Sequence, residues 1–327
     1  MSLPEKKKKS SGELKIKLNM NIIFASNSQF GLIACKAMLK EKVGLSAIIT
    51  SSDKKMERGQ KKRALPLKEI ARENKIPLKE ANNTSDFHLI VKKENPDIVI
   101  VAGFGLIISQ KTLKLSSKFI NIHPSLLPKY RGPTPIQTSI INGDQESGIT
   151  LFLIDEKIDH GPIIDQRKVP FHQKINYKEA EEVLGKEGGM LAAEKVPLLA
   201  GKIKASSQNE KEATYTKKLT KKDGSINWNE TAQIIERKVR AFNPWPGTYT
   251  RANGKTFKIL KADIQKQTES GPFGTPGKVY LGTNNTLAVQ TKKDFLLIRE
   301  LQREGKSPVS SKDFLQGNID FIGSVFS

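Results

Sequence analysis

An amide and an imidazole stand one residue apart in Asn121-Ile122-His123, at the end of the alternating apolar run Phe119-Ile120-Asn121-Ile122-His123. Pro124 closes the run, because proline cannot donate to a strand ladder. Strand alternation puts Asn121 and His123 on the same side, roughly 7 Å apart. Such a pair suits carbonyl chemistry: the imidazole can move a proton and the amide can hold a developing oxyanion. A strand end whose polar residues merely cap turns would read the same way, so the decision falls to the rest of the chain. A third group is offered by Asp155-Glu156-Lys157-Ile158-Asp159-His160-Gly161-Pro162, which could return Asp159 toward His123. A carboxylate on the far nitrogen of an imidazole fixes its tautomer. By itself, however, Asp-x-Gly is a common turn.

The elements that must position these residues alternate along the chain. Met20-Asn21-Ile22-Ile23-Phe24-Ala25 is a compact apolar run of the kind buried in parallel sheets. A turn then leads to a helix with Phe30, Ala34, Ala37 and Met38 on one face, and residues 46–50 form a second strand. Strand, helix, strand predicts a Rossmann-like α/β domain with a mostly parallel sheet. It lacks a Gly-x-Gly-x-x-Gly turn, so no nicotinamide cofactor is expected. Helices are predicted over 66–74 and 84–94, with a short strand near 76–78 and a central strand over 98–102. Gly103-Phe104-Gly105-Leu106-Ile107-Ile108 leaves the end of that strand, where ligands bind in open α/β sheets. This loop suits a flat heterocycle, although an ordinary strand-to-helix loop has similar residues. Thr134 and Pro135 read as N-cap and N1 of a helix closed by Gly143. Strands over 148–154 and 163–169 and a helix over 177–199 complete a domain spanning 20–201. Residues 202–216 read as an inter-domain linker. Short runs at 256–260, 277–280, 287–290 and 295–298 predict a small OB-like β-barrel over 217–327.

The chain has 327 residues, enough for about two domains, with 37% hydrophobic and 27% charged residues. One cysteine excludes an internal disulfide, and the four histidines lack zinc-ligand spacing, so no metal is expected. No apolar run approaches the ~20 residues of a membrane span. The expectation is a cytoplasmic enzyme acting as a monomer. The net charge of +21 points to a polyanionic partner. Residues 217–327 carry nineteen Lys and Arg against ten Asp and Glu, nearly twice the positive density of residues 21–216. A generally basic proteome, or charge retained for solubility, would leave the same excess. Residues 1–19 have the composition of a basic flexible tail, and 51–63 form a long basic loop of either phosphate-seeking or simply solvated side chains.

Taken together, these stretches resemble the 10-formyltetrahydrofolate-dependent formyltransferases, and among them the methionyl-tRNA formyltransferases, from Met20 onward. The resemblance rests on Asn121-Ile122-His123 with Ser125-Leu126-Leu127-Pro128-x-Tyr130-Arg131-Gly132-x-x-Pro135-Ile136, on Gly148-x-Thr150, and on Asp159-x-Gly161. Arg240-Ala241-Phe242-Asn243-Pro244-Trp245-Pro246 is more particular to the tRNA enzymes. The resemblance implies that Asn121, His123 and Asp159 are catalytic. It implies 10-formyltetrahydrofolate as co-substrate, held by Phe104, Gly105, Leu106, Ile107, Ser125, Leu126, Leu127, Pro128 and Asp155. It also implies initiator methionyl-tRNA as partner, met by Arg58, Lys61, Lys62, Arg63 and Arg240. The chain departs from the family at Glu57 and Gln60 around Arg58, at Ala25-Ser26-Asn27, and at His160, where threonine is common.

Replacing Arg58, Lys61 and Lys62 by alanine is therefore expected to weaken tRNA use and leave folate binding unchanged. Each lost phosphate contact should flatten the slope of log affinity against log salt by about 0.7–0.9. A salt titration of tRNA binding measures this directly.

Overall fold

Five short strands run parallel through the first half of the chain: β1 (Ile22–Ala25), β2 (Ala47–Thr50), β3 (Leu78–Glu80), β4 (Ile98–Val101) and β5 (Lys118–His123). Two longer strands, β6 (Glu146–Leu153) and β7 (Ile163–Pro170), add on as antiparallel neighbours. The sheet order is β3-β2-β1-β4-β5-β6-β7, with its switch point between β1 and β4. This is a computed structural model, and it describes residues 20–52, 66–115, 118–201, 204–267 and 274–327. The tail over 1–19 and the loop bearing Arg58, Lys61, Lys62 and Arg63 lie outside the described residues.

Alternation along the buried strands sorts side chains onto two faces. Ile22, Phe24, Ile48, Ile100, Ile120 and Ile122 pack with helices Gln29–Lys40 and Tyr177–Lys195. Ile23, Ile49, Val99, Val101 and Phe119 face Phe87 and Val91 of helix Thr84–Glu94. Asn121 and His123 fall on the Phe119 face by the same alternation, at its C-terminal end. The expected face of the first helix is buried, with Phe30, Ala34, Ala37 and Met38 inside.

Two local expectations shift. The third strand begins two residues late, because Pro77 has no N–H for the ladder and only accepts, from Ile48 N at 2.9 Å. Helix Pro135–Asn142 starts at Pro135 and ends on left-handed Gly143 as expected. Thr134, however, does not cap it: its hydroxyl donates to the Lys217 carbonyl at 2.9 Å.

The second domain is an antiparallel sheet of β8 (Thr248–Ala252), β9 (Lys255–Gln265), β10 (Val279–Leu281), β11 (Leu287–Gln290) and β12 (Phe295–Arg303), ordered β10-β11-β12-β9-β8. Strand β8 went unread in the sequence, and β9 and β12 run longer than their apolar runs. The last residues join the two sheet edges. Gly323 N donates to Val279 O and Val279 N to Ser324 O, while Ser327 and Arg251 exchange a backbone pair at 2.9 and 3.0 Å. Inside, Phe257, Phe314, Phe321 and Phe326 pack edge to face or tilted, and Phe326 stacks on Trp228 at 5.7 Å.

The domains are tied by charge as well as apolar packing. Buried Glu236 of helix Ala232–Phe242 accepts from Arg240 Nε at 2.9 Å and from Lys174 Nζ, across the junction, at 3.0 Å. Arg240 also donates to the Ile175 carbonyl, and Arg237 donates to the Asn142 carbonyl at 3.0 Å. Among the described residues, no helix is long and apolar enough to cross a membrane.

Phe326→Ala should remove the ring that Trp228, Phe257 and Phe321 all touch. The expected cost is about 3–5 kcal/mol, seen as a lower denaturant midpoint for the second domain in tryptophan fluorescence.

Candidate active site

Three chain segments converge on the end of β5. The strand itself supplies Asn121 and His123, which pair across the antiparallel ladder with Phe152 and Thr150. Beneath the following turn, buried Thr150 acts as a hub. Its hydroxyl donates to the Ser125 carbonyl at 2.6 Å and accepts from Leu127 N at 3.0 Å and Gln166 Nε2 at 2.9 Å. Ser125 donates to the Lys129 carbonyl at 2.6 Å and is fully buried, as is most of Leu127. These two residues of the expected folate set therefore build the turn rather than line a crevice. Leu126 and Pro128 keep partial exposure beside it.

The second segment is the turn after β6, which comes back over the Phe119 face. Ile154 packs into the same cluster as Phe104 and Phe119. Asp159, held at a left-handed φ of 48°, reaches Oδ2 to 3.6 Å from His123 Nδ1. That spacing is an ion-pair approach, longer than a hydrogen bond. The same Oδ2 accepts from Gly132 N at 2.7 Å. The other nitrogen of His123, Nε2, faces the Tyr130 carbonyl at 3.0 Å and so donates to it. Tyr130 adopts a φ of 62°, and its phenol bridges Asn142 and Asp144. Burial pushes that phenol up from its ordinary range. Asn121 is half-buried, and its amide makes no hydrogen bond among the described residues, so it is available to a ligand.

The third segment is the loop leaving β4, with Gly103 and Gly105 at φ of 58° and 74°. The Phe104 ring is buried against Phe87 at 5.1 Å, and the Phe104 carbonyl accepts from Asn27 Nδ2 at 2.7 Å. Phe104 is thus an anchor that leaves Gly105, partly buried Leu106 and Ile107 as the loop's open edge; Ile107 is 80% exposed. Asp155 is committed to its own turn, accepting from Lys157 N at 2.9 Å and lying 2.6 Å from His160 Nδ1. Between the two loops lies the Asn121 face of β5, with apolar edges from Leu106, Ile107 and Ile158. A flat heterocycle carrying a reactive carbonyl fits that mix of apolar edges and one free amide donor. Among the described residues, no group of three or more His, Cys, Asp and Glu could hold a metal.

Sequence reading missed the residues that buttress this site. Arg131 is fully buried, and its guanidinium makes five hydrogen bonds: two to Gln208 Oε1, two to the Glu210 carboxylate and one to the Tyr215 hydroxyl. This guanidinium holds the Glu210 carboxyl below the usual carboxylate range. The partners lie in the stretch read as a linker. Part of that stretch is zipped to the site: Arg131 N donates to Thr214 O at 2.8 Å, and Thr216 N to Arg131 O at 2.7 Å. Gln, Glu and Tyr in a polar, lysine-rich run give no periodic signal that separates them from a free connector. Arg240, expected at the tRNA, sits in the domain junction with its guanidinium on Glu236 and Ile175. Its geometry is that of a structural tie.

Comparison with known proteins agrees with this architecture. The formyl transferase family matches residues 19–195, and the formyl transferase C-terminal domain matches residues 218–318. The chain is 33% identical to the methionyl-tRNA formyltransferase of Syntrophomonas wolfei over 303 residues, covering 91% of this chain and 96% of that one. It is 35% identical to the methionyl-tRNA formyltransferase of Agathobacter rectalis, covering 94% and 100%. In fold it is similar to WlaRD, a sugar 3N-formyl transferase solved in the presence of dTDP and 5-N-formyl-THF, with TM-score 0.60, 23% identity, and coverage of 88% and 99%.

Thr150→Val should strand the Ser125 carbonyl and Leu127 N–H in a buried turn. The expected loss is about 2–3 kcal/mol of stability, while Thr150→Ser should restore most of it; thermal unfolding of the two variants checks this.

Proposed function

The chain belongs to the formyl transferase family, and we infer from that premise that it transfers a formyl group from 10-formyltetrahydrofolate to the α-amine of methionyl initiator tRNA. The product is formylmethionyl-tRNA for translation initiation. The observation that carries the site assignment is the meeting of Asp159 with His123 on the strand face that also bears the Asn121 amide, which has no hydrogen-bond partner among the described residues.

The folate supplies an activated formyl carbon. The crevice between Gly105-Leu106-Ile107 and the 155–161 turn receives its pterin, with Leu126 and Pro128 alongside. Asn121 donates to the formyl oxygen as negative charge collects there, a task for which a fixed amide is worth about 10²–10³ in rate. His123 keeps Nε2 on the Tyr130 carbonyl, so Nδ1, on the Asp159 side, is the nitrogen left to exchange a proton. Asp159 balances the imidazolium that forms as His123 takes the amine's proton through a water. Collapse of the tetrahedral adduct then breaks the formyl C–N10 bond, and that proton goes to N10 as tetrahydrofolate leaves. The acceptor end of the tRNA enters beside the Arg58 loop. The protein acts as a monomer in the cytoplasm.

The phosphate backbone has an exposed basic surface to meet. Lys218, Lys221 and Lys222 follow the connector, while Arg251, Lys255 and Lys258 stand on β8 and β9. All six are exposed and, among the described residues, form no ion pair.

Purified protein with 10-formyltetrahydrofolate should formylate methionyl-tRNA and leave free methionine and amino sugars untouched. Asn121→Ala and Asp159→Ala should each lose at least about 10²-fold in kcat while keeping the wild-type circular dichroism spectrum. Wild-type turnover in either would defeat the site assignment, and formylation of amino sugars in preference to charged tRNA would defeat the substrate.

A further inference from the structure

The connector between the two sheets ends on the loop that carries Asp159. Gln208 Nε2 donates to the Asp159 carbonyl at 2.9 Å and to the Gly161 carbonyl at 2.8 Å. A side-chain amide could be turned either way, but here only one orientation is possible. Gln208 Oε1 accepts from Arg131 Nε at 3.0 Å and Nη2 at 2.8 Å, so the amine end must face the loop. The loop has little freedom to find this shape without help. Asp159 sits at positive φ, and a side chain at Gly161 would meet the Leu153 carbonyl at 1.7 Å.

Arg131 thereby reaches Asp159 by two routes. Through Gln208 it holds the backbone carbonyl of the carboxylate's own residue and that of Gly161, two residues on. Through its backbone it places Gly132, whose N–H donates to Asp159 Oδ2. Glu210 adds a third tie: its Oε1 accepts from Arg131 and lies 3.4 Å from His160 Nε2, within the same loop. His160 holds Asp155 with its other nitrogen.

We propose that Gln208, oriented by Arg131, is a positioning residue for Asp159, making the inter-domain connector a working part of the catalytic centre. This rests on the reading of Asp159 as catalytic. Both ends of the Gln208 amide are engaged within the protein, so its loss should act on kcat and spare KM. A misplacement near 1 Å at a catalytic group costs about 10²-fold, so a displaced Asp159 should be visible.

The decisive variant is Gln208→Glu. It keeps the shape of the side chain and an acceptor for Arg131, but has no proton for the two loop carbonyls. Gln208→Met removes the same donors without adding charge and serves if the first variant does not fold. The expected result is a fall of about 10-fold or more in kcat, with KM for methionyl-tRNA and for 10-formyltetrahydrofolate within about 2-fold and an unchanged melting temperature. In an Asp159→Asn background, Gln208→Glu should cost nothing further in single-turnover rate, because its effect passes through Asp159. Wild-type kcat in Gln208→Glu, equal losses in both backgrounds, or a rise in KM matching the fall in kcat would each overturn the proposal. Wild-type turnover in Asp159→Ala would instead overturn the site reading beneath it.

Discussion

A guanidinium with no solvent contact must have its donors answered by the protein, and Arg131 is buried completely. Leaving a buried charge without its partner costs about 3–5 kcal/mol. Fixing one backbone residue costs about 1–2 kcal/mol. The Arg131 requirement alone therefore offsets the ordering of only a few connector residues. The rest comes from the zipper beside it, where Thr214, Thr216 and Lys217 exchange hydrogen bonds with residues 128–134. The zipper needs Gly132, whose φ is 108° and where an added Cβ would lie 2.8 Å from the Thr216 carbonyl. That same residue gives its N–H to Asp159. Burying one arginine thus commits the connector, the glycine and the carboxylate together.

The antiparallel edge of the first sheet matters for the same site. Because β6 runs against β5, Thr150 comes to lie beside His123 and can hold the turn that follows it. Its far end leaves the sheet beside Phe119, with Ile154 N on the Phe119 carbonyl. The 154–161 turn then has the length of the strand face to cross before it meets His123. A parallel strand in that place would end level with His123 and send its following loop away over the sheet edge. The mixed sheet is what lets one strand's polar end be met by the next strand's return turn.

Much of this was legible because the signals were periodic. Alternation in Phe119-Ile120-Asn121-Ile122-His123 places the amide and imidazole correctly, and the all-apolar runs give the parallel core. Asp159 was readable only as one candidate among turn residues, because Asp-x-Gly by itself is a common turn, and it took the family resemblance to set it beside His123. Partnerships between polar side chains far apart in sequence leave no such period. Arg131 and Gln208 are 77 residues apart, and nothing local to either marks the bond. The packing of Phe104 was equally silent in the sequence: nothing local to the glycine loop marks that its ring anchors the loop against Phe87, 17 residues earlier. Composition could place Gln208 only in a connector.

Charge counting has a similar blind spot, and Arg240 shows it. Net charge is indifferent to pairing, since each ion pair removes one cation and one anion from view. In the second domain Lys217, Lys238, Arg240, Lys261, Lys266 and Arg299 each have a carboxylate partner. Most of those pairs are open to solvent and worth little in stability. Their effect is on where the excess charge stands: it falls to the exposed cations that remain, Lys218, Lys221 and Lys222 just after the connector, Arg251, Lys255 and Lys258 on β8 and β9, and Lys292, Lys293, Lys306 and Lys312 elsewhere in the domain. A phosphate backbone responds to that local potential rather than to the total, because beyond about 8–10 Å salt screens the remainder. The lysines at 218, 221 and 222 continue the chain that is zipped to Arg131. The same stretch of backbone thus holds the Asp159 loop through Gln208 and runs on into three exposed lysines.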